Sequence, residues 1–314
     1  MKKKTGIIVG IIVVVLVALG IYGSKAGSKV ENNTGKTVTV TDRKGEKEVP
    51  FKPERVVVLD LGSLDIISEM GVEPVALPKK SLPSYLEKFK DEKYVDLGSL
   101  KEYDMEKISA AKPDLIIIEP RQEDAYDELS KIAPVVFLGT ENNDHFASLE
   151  KNLNVLGKIF GNEDLAKEKL GTINDRVAAI NKKVTGDKDS ALVVMVSEGA
   201  MSVFGSGSRY GMVFDQFGFT PADQNIEVSG HGQSISNEYL KEKDAQYLFI
   251  IDRGAVTGST AQSAKEVVEN ELVKTTTAYK EGHIIYVNPQ AWYVGGAGLL
   301  ATDEILTEIE NAIK

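Results

Sequence analysis

DMEKISAAKPDLIIIEPR, residues 104–121, aligns without a gap with SNEYLKEKDAQYLFIIDR, residues 236–253. Each segment reads as a capped helix with a glutamate near its start, then an apolar strand, then an arginine at the strand end. Glu106 matches Glu238, and Arg121 matches Arg253. The pairing predicts that the second part of the chain rebuilds an α/β unit of the first.

The flanking sequence extends this pattern in both directions. TVTVTDRKGEKEV (37–49) alternates around an Arg-Lys-Gly turn and predicts a β-hairpin. RVVVLD (55–60) is a wholly apolar strand, as in a parallel sheet covered on both faces. Leu64 to Met70 reads as a helix closed by Gly71, PVALP as the next strand, and YDELSKIAPVVFL as helix then strand. Residues 145–184 change character. HFASLEKNLNVLGKIFG and NEDLAKEKLGTINDRVAAINKKV are two helical patterns, the second capped by Asn162 with Glu163 and Asp164 in its first turn. Strands and helices then alternate again through ALVVMVS, Met212–Phe217, YLFIID, VVENELV, HIIYVN and a last helix over 300–313.

The predicted fold class is α/β. Two Rossmann-like lobes with parallel sheets, residues 37–145 and 186–314, are joined by linking helices over 146–185 that act as a long backbone helix, with a ligand cleft between the lobes. A chain of 314 residues exceeds what one core usually serves. Ligands of open α/β sheets sit beyond the carboxyl ends of the strands, so Arg121 and Arg253 both face that cleft.

The N-terminus stands apart. Lys2, Lys3 and Lys4 precede an apolar run from Gly6 to Tyr22. As a helix this run spans about 25 Å, near the lower limit for crossing a bilayer. It is longer than most signal-peptide cores, while Ser24-Lys25-Ala26 offers a small-residue cleavage site. Residues 1–23 are therefore expected to be a transmembrane anchor or a signal helix, and residues 24–36 a polar tether. The rest should lie outside the cell membrane. The formal charge is −10 with no basic block beyond the N-terminus, which argues against nucleic acid. With no cysteine there is no disulfide framework, thiolate metal site or cysteine nucleophile.

Setting aside Arg43, Arg55 and Arg176, the arginines are Arg121, Arg209 and Arg253. Arg209, in GSGSRYG, lies in a Gly/Ser loop before a helix, where backbone amides attract anions. Three permanently charged guanidiniums in the cleft of an acidic protein suit a compact polyanion. The alternative is three unrelated surface or ion-paired arginines. His231, in SGHGQS, has no HExxH and no partner histidine at helical spacing, so spacing alone leaves it a loop histidine without a role. Tyr293, in NPQAWYVGG, either packs under a glycine turn or offers a hard phenolate oxygen suited in kind to ferric iron. Trp292, the one tryptophan, reads as packing or as a stacking wall for a ligand. Glu106 and Glu238 either stabilise helix N-termini or act as one surface anchor per lobe for a cationic partner. Catalysis finds little support. There is no GxSxG elbow and no Walker loop, and Asp60, Asp65 and Asp252, imaginable as an acid/base set, come without a nucleophile or metal cluster.

Over residues 40–314, RVVVLDLGSLDII, DLGSLKEYDMEKISAAKPDLIII, GSRYGMVFDQFGFTPADQNI, SGHGQS and DRGAVTGSTAQSAKEVVEN resemble the substrate-binding proteins of siderophore ABC transporters, in particular their petrobactin and catecholate subfamily. The resemblance implies that Arg121, Arg209 and Arg253 hold an anionic ferric catecholate. It implies that His231 and Tyr293 ligate the iron of a tetradentate siderophore, and that Glu106 and Glu238 dock onto permease subunits. It implies a monomer with no permanent cofactor and no enzymatic activity, carrying ferric siderophore as its transported ligand. The same architecture could instead serve haem or another iron chelate, and a metal-dependent hydrolase outside the cell is the reading from another class. One departure is the missing lipobox cysteine: LVALG offers no residue to acylate.

Overall fold

The computed structural model describes residues 35–184, 189–258 and 262–314. The expected anchor or signal segment, residues 1–23, lies outside them, as does most of the tether. Among the described residues no helix is long and apolar enough to cross a membrane.

The alternating segment forms the expected hairpin. β1 (Thr37–Asp42) and β2 (Gly45–Pro50) pair antiparallel, from Thr37 opposite Pro50 to Asp42 opposite Gly45. Five short strands follow as a parallel sheet: β3 (Val56–Val58), β4 (Ala76–Leu77), β5 (Val95–Asp96), β6 (Leu115–Ile118) and β7 (Val135–Phe137). Their spatial order is β5-β4-β3-β6-β7. Every residue of β3, β6 and β7 is buried, which explains their uninterrupted Val and Ile content. The hairpin is pinned to β7: the buried Asp42 carboxylate accepts from the Phe137 N–H at 2.8 Å and pairs with Lys47 at 2.6 Å. That contact covers the sheet edge.

The helices of this part are α1 (Leu61–Glu69), α2 (Met105–Ala110) and α3 (Tyr126–Leu129). Strand order reverses between β3 and β6, so a crevice opens beyond their carboxyl ends, where Asp60 and Glu119–Arg121 follow.

The expected linking segment is α4 (His145–Phe160) and α5 (Glu163–Lys183). It is two helices, because Gly161 ends α4 at φ +68°, a left-handed conformation that glycine adopts without steric cost.

The second sheet holds β8 (Ser190–Ser197), β9 (Ala200–Phe204), β10 (Thr220–Pro221), β11 (Gln233–Ile235), β12 (Tyr247–Asp252) and β13 (Ile284–Val287), ordered β11-β9-β8-β12-β13 with β10 beside β8. It corrects the expectation of a purely parallel sheet. β9 runs antiparallel to both β8 and β11. The cause is a two-residue turn with Glu198 at φ +54° and Gly199 at φ +82°, whose paired positive angles suit a tight hairpin. A glutamate in place of the usual Asn or Asp hid that turn from a reading of the sequence. The remaining helices are α6 (Met212–Asp215), α7 (Asn237–Lys243), α8 (Gly254–Thr257), α9 (Ala264–Val268), α10 (Thr277–Glu281) and α11 (Leu299–Ala312). The two aligned segments fold alike, as α2–β6 and α7–β12.

α11 ties the chain's end back to its beginning. Asp65, fully buried on α1, accepts from the Leu300 and Ala301 N–H groups, both at 3.1 Å. A side chain at Gly298 would collide with this carboxylate, so glycine is required there. On the other side Arg176 of α5 binds Glu310, Asp303 and Thr307 of α11. Burial pushes the Asp65 carboxyl up to about 7, against the pull of its two N–H donors. Its folded value thus exceeds its unfolded one, and its favourable contribution is greatest in acid and lost as pH rises through about 7. Asp65→Ala is expected to lower unfolding stability by about 1–3 kcal/mol in urea titrations, because two buried donors lose their acceptor. The loss should be larger at pH 5 than at pH 8. Lys90→Ala, which breaks only the exposed pair with Glu87, should stay within about 0.5 kcal/mol.

Candidate functional site

Beyond β13 the chain enters a π-helical turn, Gln290–Val294. The turn is held from the first half of the chain: Gln290 Oε1 accepts from the Ser84 N–H and hydroxyl, each at 2.8 Å. It places Trp292 and Tyr293 against a cavity of about 270 Å³. Residues from both sheets line this cavity, with Asp60 and Arg121 from the first half facing Arg209, Trp292 and Tyr293 from the second.

The three arginines selected from the sequence converge on Tyr293. Arg253, at the end of β12, donates from Nε to the Tyr293 hydroxyl at 2.8 Å and from Nη1 to Ser197 Oγ, at the end of β8, at 2.6 Å. Arg209 donates to the Tyr293 carbonyl at 2.5 Å, and its guanidinium carbon lies 4.6 Å from the Tyr293 ring centre. Arg121 is ion-paired with Glu119 at 2.7 Å. Burial disfavours the Tyr293 phenolate, but the Arg253 hydrogen bond and the charges of Arg253, Arg209 and Arg121 outweigh it and hold the phenol below its ordinary value. Arg121 and Arg209 line the cavity directly, whereas Arg253 stands behind Tyr293.

Trp292 is mostly buried. Its indole N–H donates to Glu308 at 2.7 Å and its ring stacks near Phe249. Packing and cavity wall are therefore both true of it. His231 is exposed, between β10 and β11, and is not among the cavity-lining residues. Its loop runs beside the segment that carries Arg209: Ile226 packs on Gly205, and Gly232 at φ +72° lets the backbone pass the Phe204 ring.

The histidine that does line the cavity is His145, which the sequence presented only as the start of a helix. Its Nε2 lies 2.8 Å from Thr302 Oγ1. The Thr302 hydroxyl donates to the Gly298 carbonyl, so it accepts from His145. Burial pushes this imidazole down to about 4, leaving it neutral. The overlooked signal was topological: the loop after β7, like those after β3 and β6, leads from a strand's carboxyl end to the crevice. Glu119, directly after β6, was missed in the same way, and Tyr210 lines the cavity as the neighbour of Arg209.

Asp60, Asp65 and Asp252 do not act as one set. Asp60 caps α1, Asp65 caps α11, and Asp252 accepts from the Ala255 and Ala264 N–H groups. Among the described residues no group of three or more His, Asp or Glu side chains is arranged for a metal ion. Glu106 and Glu238 are both exposed in the first turns of α2 and α7. A helix that packs back along its strand starts at the strand's carboxyl end, so both glutamates lie toward the face on which the cavity opens.

Residues 56–291 match the family model described as "Periplasmic binding protein", and the chain belongs to this family. It is 41% identical over its full length to the petrobactin-binding protein YclQ of Bacillus subtilis, of which it also covers 100%. The YclQ crystal structure superposes with a TM-score of 0.84 at 42% identity, covering 89% of this chain and 99% of that one. The ferric-anguibactin-binding protein FatB of Vibrio anguillarum is 33% identical, with 98% of each chain covered. The periplasmic catecholate-siderophore binding protein VctP of Vibrio cholerae is 38% identical with a TM-score of 0.81, over 88% of this chain and all of that one.

An alkaline difference-absorbance titration should detect one phenol ionising below the other tyrosines. Tyr293→Phe should remove that step, and Arg253→Ala should move it upward. A step unchanged by either substitution would disprove the arginine–phenol coupling.

Proposed function

We propose that this protein is an extracytoplasmic ferric-siderophore-binding protein, of the catecholate or petrobactin type, that delivers its ligand to an ABC importer for iron uptake. The observation that carries this is the convergence of Arg121, Arg209 and Arg253 on Tyr293 at a cavity between two α/β sheets. Relatives whose names specify petrobactin, ferric anguibactin and catecholate siderophores support the reading.

A guanidinium about 4 Å from a ligand anion is worth roughly 4 kcal/mol at an effective dielectric near 20, before desolvation. Net affinity is much smaller than the sum of such pairs. A chain of charge −10 repels anions in general, so the arginines must supply the selectivity. Tyr293, held toward phenolate, can give iron a hard oxygen. His231, beside the Arg209 segment, would join it where a tetradentate siderophore leaves iron positions open. Residues 37–145 and 186–314 act as two lobes joined by 146–185, with small closure on loading. Glu106 and Glu238 provide one anchor per lobe for permease subunits. The protein works as a monomer and hydrolyses nothing. Its N-terminal segment is either retained as an anchor or removed as a signal.

Titration with ferric petrobactin, or with ferric complexes of its dihydroxybenzoyl fragments, should quench the fluorescence of Trp292 with micromolar or tighter affinity. Alanine at Arg121, Arg209 or Arg253 should weaken binding by about tenfold or more, the cost of a lost charge-assisted contact. Three variants that bind like the unaltered protein would rule out this anion site. His231→Ala should weaken tetradentate complexes and spare hexadentate ones, and equal effects on both would exclude it as an iron ligand.

A further inference from the structure

The cavity is not uniformly cationic. Asp60 follows β3 and Glu119 follows β6, at the point where strand order reverses, and both carboxylates line the same cavity as Arg121 and Arg209. Asp60 is 4% exposed and Glu119 8%. Glu119 is neutralised by Arg121 at 2.7 Å, whereas Asp60 has no cationic partner within salt-bridge distance among the described residues. Its contacts are neutral donors: the Gly62 N–H at 3.1 Å, the Ser63 N–H at 3.2 Å and the Ser63 hydroxyl at 2.6 Å.

We propose that Asp60 takes up a proton when an anionic ligand enters the cavity, so that ligand and proton are bound together. This rests on the anion-binding reading above. An anion drawn in by Arg121 and Arg209 must come close to a buried carboxylate that cannot move away, since that carboxylate caps α1. Two like charges in a site of low dielectric are relieved when one takes a proton. The local contacts accept this without rearrangement of the backbone. A proton on Asp60 Oδ2 can be donated to Ser63 Oγ, whose own hydrogen turns aside, while the two N–H groups keep their acceptor.

The charged and titratable groups around Asp60 are Glu119 and Arg121 from the same sheet, His145 from the start of α4, and Arg209 and Tyr293 across the cavity. His145 is neutral. Burial first, and then the charge of Glu119, already push the Asp60 carboxyl up to about 6. The sign follows from linkage. The loaded protein holds more protons than the free one, so affinity rises as pH falls from above the loaded-state value toward about 6. Below about 6 this contribution flattens, because the free protein is already protonated.

The probe should be chromium(III) tris-catecholate, whose slow ligand exchange keeps its charge constant over the titration. Calorimetry near pH 7 in phosphate and in Tris separates proton uptake from the heat of binding. The unaltered protein should take up a substantial fraction of one proton, with affinity falling up to about tenfold per pH unit between pH 6.5 and 8.5. Asp60→Asn retains a good helix cap. It should abolish the uptake, flatten the pH profile and bind more tightly than the unaltered protein at pH 8.5. Binding by the unaltered protein with equal heats in both buffers, or undiminished uptake by Asp60→Asn, would overturn the proposal. Absence of binding by the unaltered protein would instead overturn the anion site on which it rests.

Discussion

The hydrogen bond from Arg253 to the Tyr293 hydroxyl joins the second sheet to the turn that forms one wall of the cavity. Arg253 reaches it from the carboxyl end of β12 while holding Ser197 at the end of β8, so the two central parallel strands of the second sheet fix its guanidinium. Tyr293 reaches it from a π-helical turn, whose hydrogen bond from the Gly295 N–H to the Gln290 carbonyl spans five residues instead of four and re-aims the side chains it bears. The turn leads into α11, whose first N–H groups are capped by Asp65 of α1. The position of the phenol is therefore set by the second sheet, by Ser84 and by a buried carboxylate from the first half of the chain.

Strands were legible where burial dictates composition. LIII and YLFIID had to be interior parallel strands, and the gapless alignment of 104–121 with 236–253 exposed a real structural repeat because helix, strand and following arginine occupy the same places in each unit. The mixed character of the second sheet was not legible. One backbone turn decides it, and the sequence Glu198-Gly199 carries only half of the usual signal.

The candidate site divides along similar lines. The arginines could be found because they are few and follow strands. His145 and Glu119 could not, because their role depends on which strand ends share a crevice, and that follows from sheet order rather than from local pattern. His231 shows the converse: a conspicuous Gly-flanked histidine that folds to an exposed loop beside the arginine segment and not onto the cavity wall.

The repeat also explains why equivalent arginines have different surroundings. In the alignment Glu119 corresponds to Ile251 and Pro120 to Asp252. Arg121 therefore has a carboxylate two residues before it and is held by that charge. Arg253 has a buried isoleucine there, and Asp252 is occupied with the N–H groups of Ala255 and Ala264. The Arg253 guanidinium is left for Ser197 and Tyr293. The difference at one aligned position thus separates an arginine held by its own ion pair from one that is free to hydrogen-bond the phenol directly. The first half then contributes the Glu119–Arg121 pair together with the Asp60 carboxylate, and the second half a cationic wall. Net positive charge on one side only would orient an asymmetric anion as well as attract it, in keeping with the proposed anion site.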